Sequence, residues 1–346
     1  MDSAVKTCLE DLCARIDEDV ERRNGQEWVA FLEDRWPHDV FTPTPRPPAP
    51  PRVPWPVISL NRAQQDGDAM LLSQFGMCSQ LLADGGTNRL AVRCNYGTGI
   101  IPSLFGCELF ALDDSADTLP TARPLGGQRI AALLDAGVPD LRAGLGGAVF
   151  DMADRFNEVL ARYPVLGRNV ALYHPDTQGP IDLVELIWGS EMFLAFCDDA
   201  EQMRGFLGLV TDTYISFMRR WFALAPAPRP YCVHWGLLQR GPVMLRNDSL
   251  MNLSPDIYTQ FVRPLDQRIF DALGGGAVHF CGRGDHFIAA MSQMRDLSCI
   301  ALSQPHLNDM EMVYRHTVDK GIKLLQLDRP AAQRAGRPLR GQVHCL

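Results

Sequence analysis

The sequence predicts an α/β fold, a single (β/α)8 TIM barrel, and three observations carry that prediction. Apolar, β-rich runs alternate with longer amphipathic helical stretches, the pattern of a parallel sheet covered by helices. The 346 residues fit one barrel, a fold that commonly uses about 250 residues or more as a single domain. An open doubly wound sheet is the alternative fold, but no Gly-x-Gly-x-x-Gly follows the first strand, as dinucleotide-binding members of that class would have.

The runs that read as strands are Leu90–Cys94, Val170–Tyr173, Tyr231–Trp235, Ala277–Cys281, Cys299–Leu302, Lys323–Leu327 and Gly341–Cys345. An eighth, needed for closure, is expected within 125–150. Helical spacing covers Asp182–Phe196, Ala200–Trp221, Ser254–Leu273, His286–Met294 and Asp309–Lys320. Helix starts support the division. Ser254-Pro255-Asp256 supplies a capping hydroxyl, a proline at the first helical position and a carboxylate for the helix dipole. Asp198-Asp199-Ala200-Glu201 does the same for the next helix upstream.

Residues 3–36 read as helical, ending at Trp36-Pro37. Between Thr42 and Pro56, eight of fifteen residues are proline, so missing N–H groups and fixed φ angles impose an extended connector. Since one short helical segment precedes it, it is read as a strap across the barrel, with a flexible linker between domains as the alternative. The expected division is therefore 1–56, extension and strap, and 57–346, barrel.

A net charge of −8 and a pI near 5.5, with no Lys/Arg cluster, argue against nucleic acid as a partner. No uncharged apolar stretch is long enough to span a membrane, and the first residues are acidic where a secretion signal would be basic. Ten scattered cysteines read as reduced thiols of a cytoplasmic protein. Cys94, Cys107, Cys197, Cys232 and Cys299 sit in apolar surroundings and read as buried small hydrophobes.

The sharpest local feature is Val278-His279-Phe280-Cys281-Gly282. Positions i and i+2 of a strand share a side, so His279 and Cys281 project together at the barrel mouth. An imidazole and a thiolate so placed can share one zinc ion. Gly282 and Gly284 permit a sharp turn afterwards. Cys345, in the run Gly341–Cys345, can supply a third ligand. It shares a face with Val343, while His344 points the other way, so the opposite register offers His344 instead.

Several phrases resemble the uroporphyrinogen decarboxylase-like superfamily. They are Tyr173-His-Pro-Asp-Thr-Gln-Gly179-Pro180-Ile-Asp182, Leu253-Ser-Pro-Asp256-Ile-Tyr258, Val278-His279-Phe-Cys281-Gly282 and Ser303-Gln-Pro-His306. The similarity extends more weakly from Val53 to the end. It is closer to the zinc-dependent methylcobamide:thiol methyltransferase branch, whose His-x-Cys … Cys zinc motif His279 and Cys281 match in its first half. Cys345 is the match for the last cysteine. That branch commonly carries a carboxylate after the strand following His-x-Cys, where this chain has Gln304 and His306, so the fourth ligand stays open. The Arg-rich N-terminal phrase of the heme-pathway decarboxylase has no counterpart.

Other candidates surround the expected mouth. Asn95 and Tyr96 follow a strand in Asn95-Tyr96-Gly97-Thr98-Gly99 and can offer hydrogen-bond groups, although the glycines also suit a plain turn. His174 and Asp176 follow the Val170–Tyr173 strand, a position suited to catalysis. Glu185 reads as a helix-cap carboxylate, and Asp285 as a cap or a support for the metal. His234 and Trp235 close another strand, with Gln239 beyond; Trp235 can be a flat wall for a ligand or rim packing. The resemblance implies methyl transfer between a corrinoid on a partner protein and a small thiol held by zinc. The alternatives are a metal-independent decarboxylase or lyase acting on a small carboxylate, and a non-catalytic barrel that binds a ligand. A homodimer is the assembly kept in view.

Overall fold

Continuous apolar runs become the inner strands of a parallel sheet, and short pieces between breakers become its edges. The computed structural model describes residues 2–345. In chain order the strands are β1 (Val40–Phe41), β2 (Ala91–Val92), β3 (Leu109–Phe110), β4 (Thr121–Ala122), β5 (Ala171–Leu172), β6 (Tyr231–His234), β7 (Leu237–Arg240), β8 (Val243–Arg246), β9 (Gly276–Phe280), β10 (Leu297–Leu302), β11 (Lys323–Leu327) and β12 (Val343–Cys345). Six of them form one sheet in the order β1-β12-β11-β10-β9-β8, with every neighbouring pair parallel. β2 and β5 form a separate parallel pair, and β3–β4 and β6–β7 are antiparallel. Among the described residues no ladder joins β2–β5 to the six-stranded sheet.

The strand period of two divides the side chains between two faces. Val243, Leu245, Val278, Phe280, Ile300, Leu302, Leu324, Val343 and Cys345 pack in the large cluster that contains the helices. Met244, Ala277, Cys299, Ala301 and Leu325 pack in a second cluster with Trp28, Phe31 and Phe41. Ala91 of β2 and Ala171 of β5 lie against that same second cluster, so the separate pair faces the same interior as the large sheet.

Several helix starts are closed by a side chain of their own sequence. Ser254 Oγ accepts the N–H of Ile257 at 3.2 Å, with Pro255 in the first helical position. Asp199 accepts the N–H of Gln202 at 3.0 Å to start Ala200–Leu224. The N-terminal region is two helices, Ser3–Arg15 and Glu18–Leu32, rather than one. Asp17 ends the run by capping the second of them through the N–H groups of Asp19 and Val20.

The proline-rich segment is extended and clamped. Arg46 and Ala49 donate their N–H groups to Gly85 and Leu82, and Arg15 donates to the Ala49 carbonyl at 2.9 and 2.7 Å. Arg46 grips Glu21 with two bonds of 2.6 and 2.8 Å, both side chains buried.

Three sequence expectations need correction. The span 125–150 holds no strand; it contains a short turn of helix, Ile130–Ala136 and the start of Gly146–Arg162, as its Ala and Leu content favours. The strand β1 lies instead just before the prolines, two residues long and too short to carry a period. Tyr231–Trp235 is not a strand of the parallel sheet. It is one arm of a hairpin with β7, turning at Trp235 (φ 51) and Gly236 (φ 75), both positive as a type I′ turn requires. Cys197 is exposed, because it falls on the outer side of the short helix Met192–Asp198; Cys94, Cys107, Cys232 and Cys299 are buried as expected.

Candidate functional site

Parallel pairing of β8 with β9 puts Arg246 opposite His279, and the N–H of Asn247 extends the ladder to the His279 carbonyl at 3.0 Å. The next residue, Asp248, therefore arrives beside Cys281, whose N–H donates to Asp248 Oδ1 at 2.7 Å. His279 Nε2 lies 3.4 Å from Cys281 Sγ and 3.6 Å from Asp248 Oδ1, and the ligand atoms of the trio all lie within 4.8 Å of one another. Zinc bonds of about 2.0–2.3 Å at tetrahedral angles separate ligand atoms by about 3.3–3.6 Å. The trio fits a metal ion, zinc included. Asp248 went unnoticed as a ligand in the sequence; its only signal was an Asn-Asp pair closing a short apolar run after Gly241-Pro242.

The protonation states suit this donor set. Burial lowers the His279 pKa to about 4, against the pull of Asp248, so its imidazole is neutral at neutral pH. Burial raises the Cys281 thiol; a hydrogen bond from Ser303 opposes this and Asp248 adds to it. Without a cation the thiol keeps its proton.

A layer beneath the trio holds its loops. Asp182, fully buried, accepts the N–H groups of Asp248 at 2.9 Å and Ser249 at 2.8 Å, and burial with Asp248 nearby raises its pKa to about 7. Glu185 accepts the Ser249 hydroxyl at 2.6 Å, which binds the helix Pro180–Trp188 to the loop after β8 rather than capping the helix. Gln304 Oε1 accepts the Gly282 N–H at 2.6 Å, and Asn308 Oδ1 accepts those of Gly284 and Asp285. Asp285 in turn accepts the Asp309 N–H at 2.9 Å, so it secures the loop after β10.

Next to the trio is a second buried group. Trp235 sets its ring 4.9 Å from that of His279 at 88°, and 4.7 Å from that of His234. His234 is fully buried with both ring nitrogens lacking a partner among the described residues, between Trp235, Tyr173 and His174. His174 uses both of its nitrogens. Nε2 accepts the Met244 N–H at 3.1 Å and Nδ1 meets the Pro175 carbonyl at 2.9 Å, which fixes a neutral ring; burial and Arg246 lower its pKa to about 3. Asp176 is ion-paired to Arg93 at 2.7 Å and to Arg246, whose guanidinium lies 5.4 Å above the Trp235 ring. Arg93, Tyr173 and Trp235 line a cavity of about 230 Å³.

The remaining candidates are dispersed. Tyr96 lines a different cavity, of about 260 Å³, with Asn61 and Leu109, and burial pushes its hydroxyl up to about 12. Asn95 is buried, its Oδ1 without a partner among the described residues. Gln239 sits at the far end of the hairpin from Trp235 and donates to the Val243 carbonyl at 2.7 Å. His306 is exposed on a short turn of helix. Cys345 is not brought to the trio: β10 and β11 stand between β12 and β9, and Cys345 packs on the helix side with Leu327 and Val343. The inward residue of β12 is His344, its ring 4.7 Å from that of Trp28 and its Nδ1 accepting the Gln326 N–H at 3.3 Å.

No protein-family model matches the chain, and no curated protein sequence does either. Among solved structures, a methyltransferase from Methanosarcina mazei is similar with a TM-score of 0.64. The likeness covers 93% of this chain and 92% of that one, at 13% sequence identity. The chain has a methyltransferase-like fold. At that identity the likeness concerns architecture alone, and the chemistry rests on the residues above.

Proposed function

We propose that this chain is a zinc-dependent methyltransferase that moves a methyl group between a corrinoid carried by a partner protein and a small thiol. The observation that carries the reading is the trio Asp248, His279 and Cys281, gathered where strands end, in a fold similar to that of a methyltransferase. A closed (β/α)8 barrel is part of the proposal, supported by Ala91 and Ala171 facing the interior of the larger sheet. Three protein ligands leave one position for substrate, as in catalytic zinc sites.

Asp248, His279 and Cys281 would hold the metal. When bound, zinc stabilises a substrate thiolate near neutral pH as a nucleophile for the methyl group. The neutral His279 needs no deprotonation, whereas Cys281 gives up a proton. Asp182 and Gln304 keep the loops after β8 and β9 from spreading. Trp235 walls the side of the site, its backbone held at a φ of 51, which costs a non-glycine residue on the order of 1 kcal/mol or more. A strained aromatic beside a candidate ligand supports a role in contacting substrate.

A second reading is a metal-independent decarboxylase acting on a small carboxylate. It is favoured by Arg93 and Arg246, two guanidiniums converging on the single carboxylate of Asp176. Metal analysis of protein purified without chelator or affinity nickel, followed by an assay with methylcobalamin and a panel of small thiols, separates the two. About one zinc per chain and thiol-dependent loss of the methylcobalamin absorbance support methyl transfer. A metal-free protein, or a zinc-loaded one inert toward every thiol, rejects it.

A further inference from the structure

A cavity of about 700 Å³ opens at the opposite end of the strands from the trio. It lies between the helix Glu18–Leu32, the residues leading into β2 and β5, and the β6–β7 hairpin. The helix contributes Arg22, Gly25, Gln26 and Val29, the spacing of one helical face. Val29, Val170, Val233 and Leu238 make an apolar floor, with Tyr231 beside them. Arg22, Arg35, Arg89 and Arg168 form its cationic lining, and no described Asp or Glu is among the lining residues.

The carboxylates that pair with three of these arginines stand at its rim, where Glu33 also accepts the Tyr231 hydroxyl. Asp19 accepts from Arg22 at 2.6 Å, Glu33 from Arg35 at 3.0 Å, and Glu18 from Arg168 at 2.8 and 2.7 Å. Such exposed pairs are weak, and each guanidinium has five N–H donors, so a ligand can engage them. Arg89 is different. Its Nη1 donates to the Glu21 carbonyl at 2.6 Å and to Asn24 Oδ1 at 3.2 Å, while the Glu21 carboxylate is gripped by Arg46. Two guanidiniums thus share one carboxylate, which leaves a positive charge in excess beside the cavity.

We propose that this cavity is a second binding site, for an organic anion with an apolar body: a carboxylate, sulfonate or phosphate on a hydrocarbon or aromatic frame. The volume is that of a small-molecule pocket, and the division into apolar floor and cationic wall matches such a ligand in both parts. The site is separate from the trio and does not depend on the metal.

Fluorescence titration of the full chain tests it, with 8-anilinonaphthalene-1-sulfonate as the anionic probe and N-phenyl-1-naphthylamine as its neutral counterpart. One anionic probe binds per chain, about tenfold tighter than the neutral one, the worth of one charge-assisted contact. The Arg22→Ala/Arg168→Ala double variant weakens the anionic probe about tenfold. Its folding is not at risk, since those side chains are 65% and 56% exposed. Val29→Glu, which sets a carboxylate in the floor, weakens the anionic probe more than the neutral one. His279→Ala leaves binding unchanged. Equal affinity for both probes, several probes per chain, or indifference to the double variant overturns the proposal; loss in His279→Ala moves the probe to the mouth and overturns it too.

Discussion

The indole of Trp235 meets the imidazole of His279 edge to face, ring centres 4.9 Å apart and planes at 88°. A hairpin turn thereby supplies the wall of a site whose ligands come from the ends of β8 and β9. Trp235→Ala removes the wall and leaves the three ligands in place. It is expected to keep bound zinc while lowering thiol-dependent methyl transfer about tenfold or more, with Trp235→Phe intermediate. Metal content and kcat/KM measured on the same preparations check this; loss of zinc in Trp235→Ala would show that the ring shapes the metal site instead.

Removing a ligand should act on the metal directly. Asp248→Ala, His279→Ala and Cys281→Ser are each expected to weaken zinc by about a hundredfold or more, beyond the range usual for indirect supports. Cys345→Ser should retain the metal, because its sulfur lies on the helix side of β12. Competition with a chromophoric chelator gives the constants.

Asp182 is the indirect support to test. Asp182→Asn keeps the shape but turns an amide NH2 toward one of the two N–H groups that the carboxylate accepts. Zinc affinity should fall about tenfold to a hundredfold and stability by about 1–3 kcal/mol, read by chelator competition and by urea unfolding of the metal-free chain.

Metal binding should release a proton from Cys281, whose thiol is raised by burial and by Asp248, opposed by Ser303. The apparent zinc affinity is therefore expected to rise about tenfold per pH unit below that raised pKa, with no matching contribution from His279, already neutral above about pH 4. Calorimetry in buffers of different ionisation enthalpy counts the protons. No release at pH 7 removes Cys281 thiolate from the site.

His344 gives a stability test away from the metal. Burial holds its pKa at about 3 in the folded chain, against about 6.5 unfolded. Between those values the unfolded state binds the extra proton, so stability rises with pH through that window and is lost as pH falls below about 6.5. His344→Phe keeps an aromatic ring against Trp28 and should flatten the slope by about 1 kcal/mol per pH unit. An unchanged slope in pH-dependent urea unfolding would mean the ring is protonated or exposed in the folded state.

The sequence by itself determined whatever depends on neighbours a few residues apart. Alternation along a strand put His279 and Cys281 on one side, and the run Lys323–Leu327 matches β11 at both ends. The caps at Ser254 and Asp199 were legible because a capping side chain reaches only two or three residues ahead. Tertiary structure decided the rest, for a common reason: a two-residue strand such as β1, or a hairpin turned by Trp235-Gly236 in place of Asn-Gly, has no local pattern and exists only through its partner. Register was the clearest case. Both faces of Val343-His344-Cys345 are apolar enough to be buried, so only pairing with β11 and packing of His344 on Trp28 could turn Cys345 toward the helices. The same parallel pairing, Arg246 opposite His279, brought Asp248 to the site from about thirty residues away, a closeness no local pattern encodes.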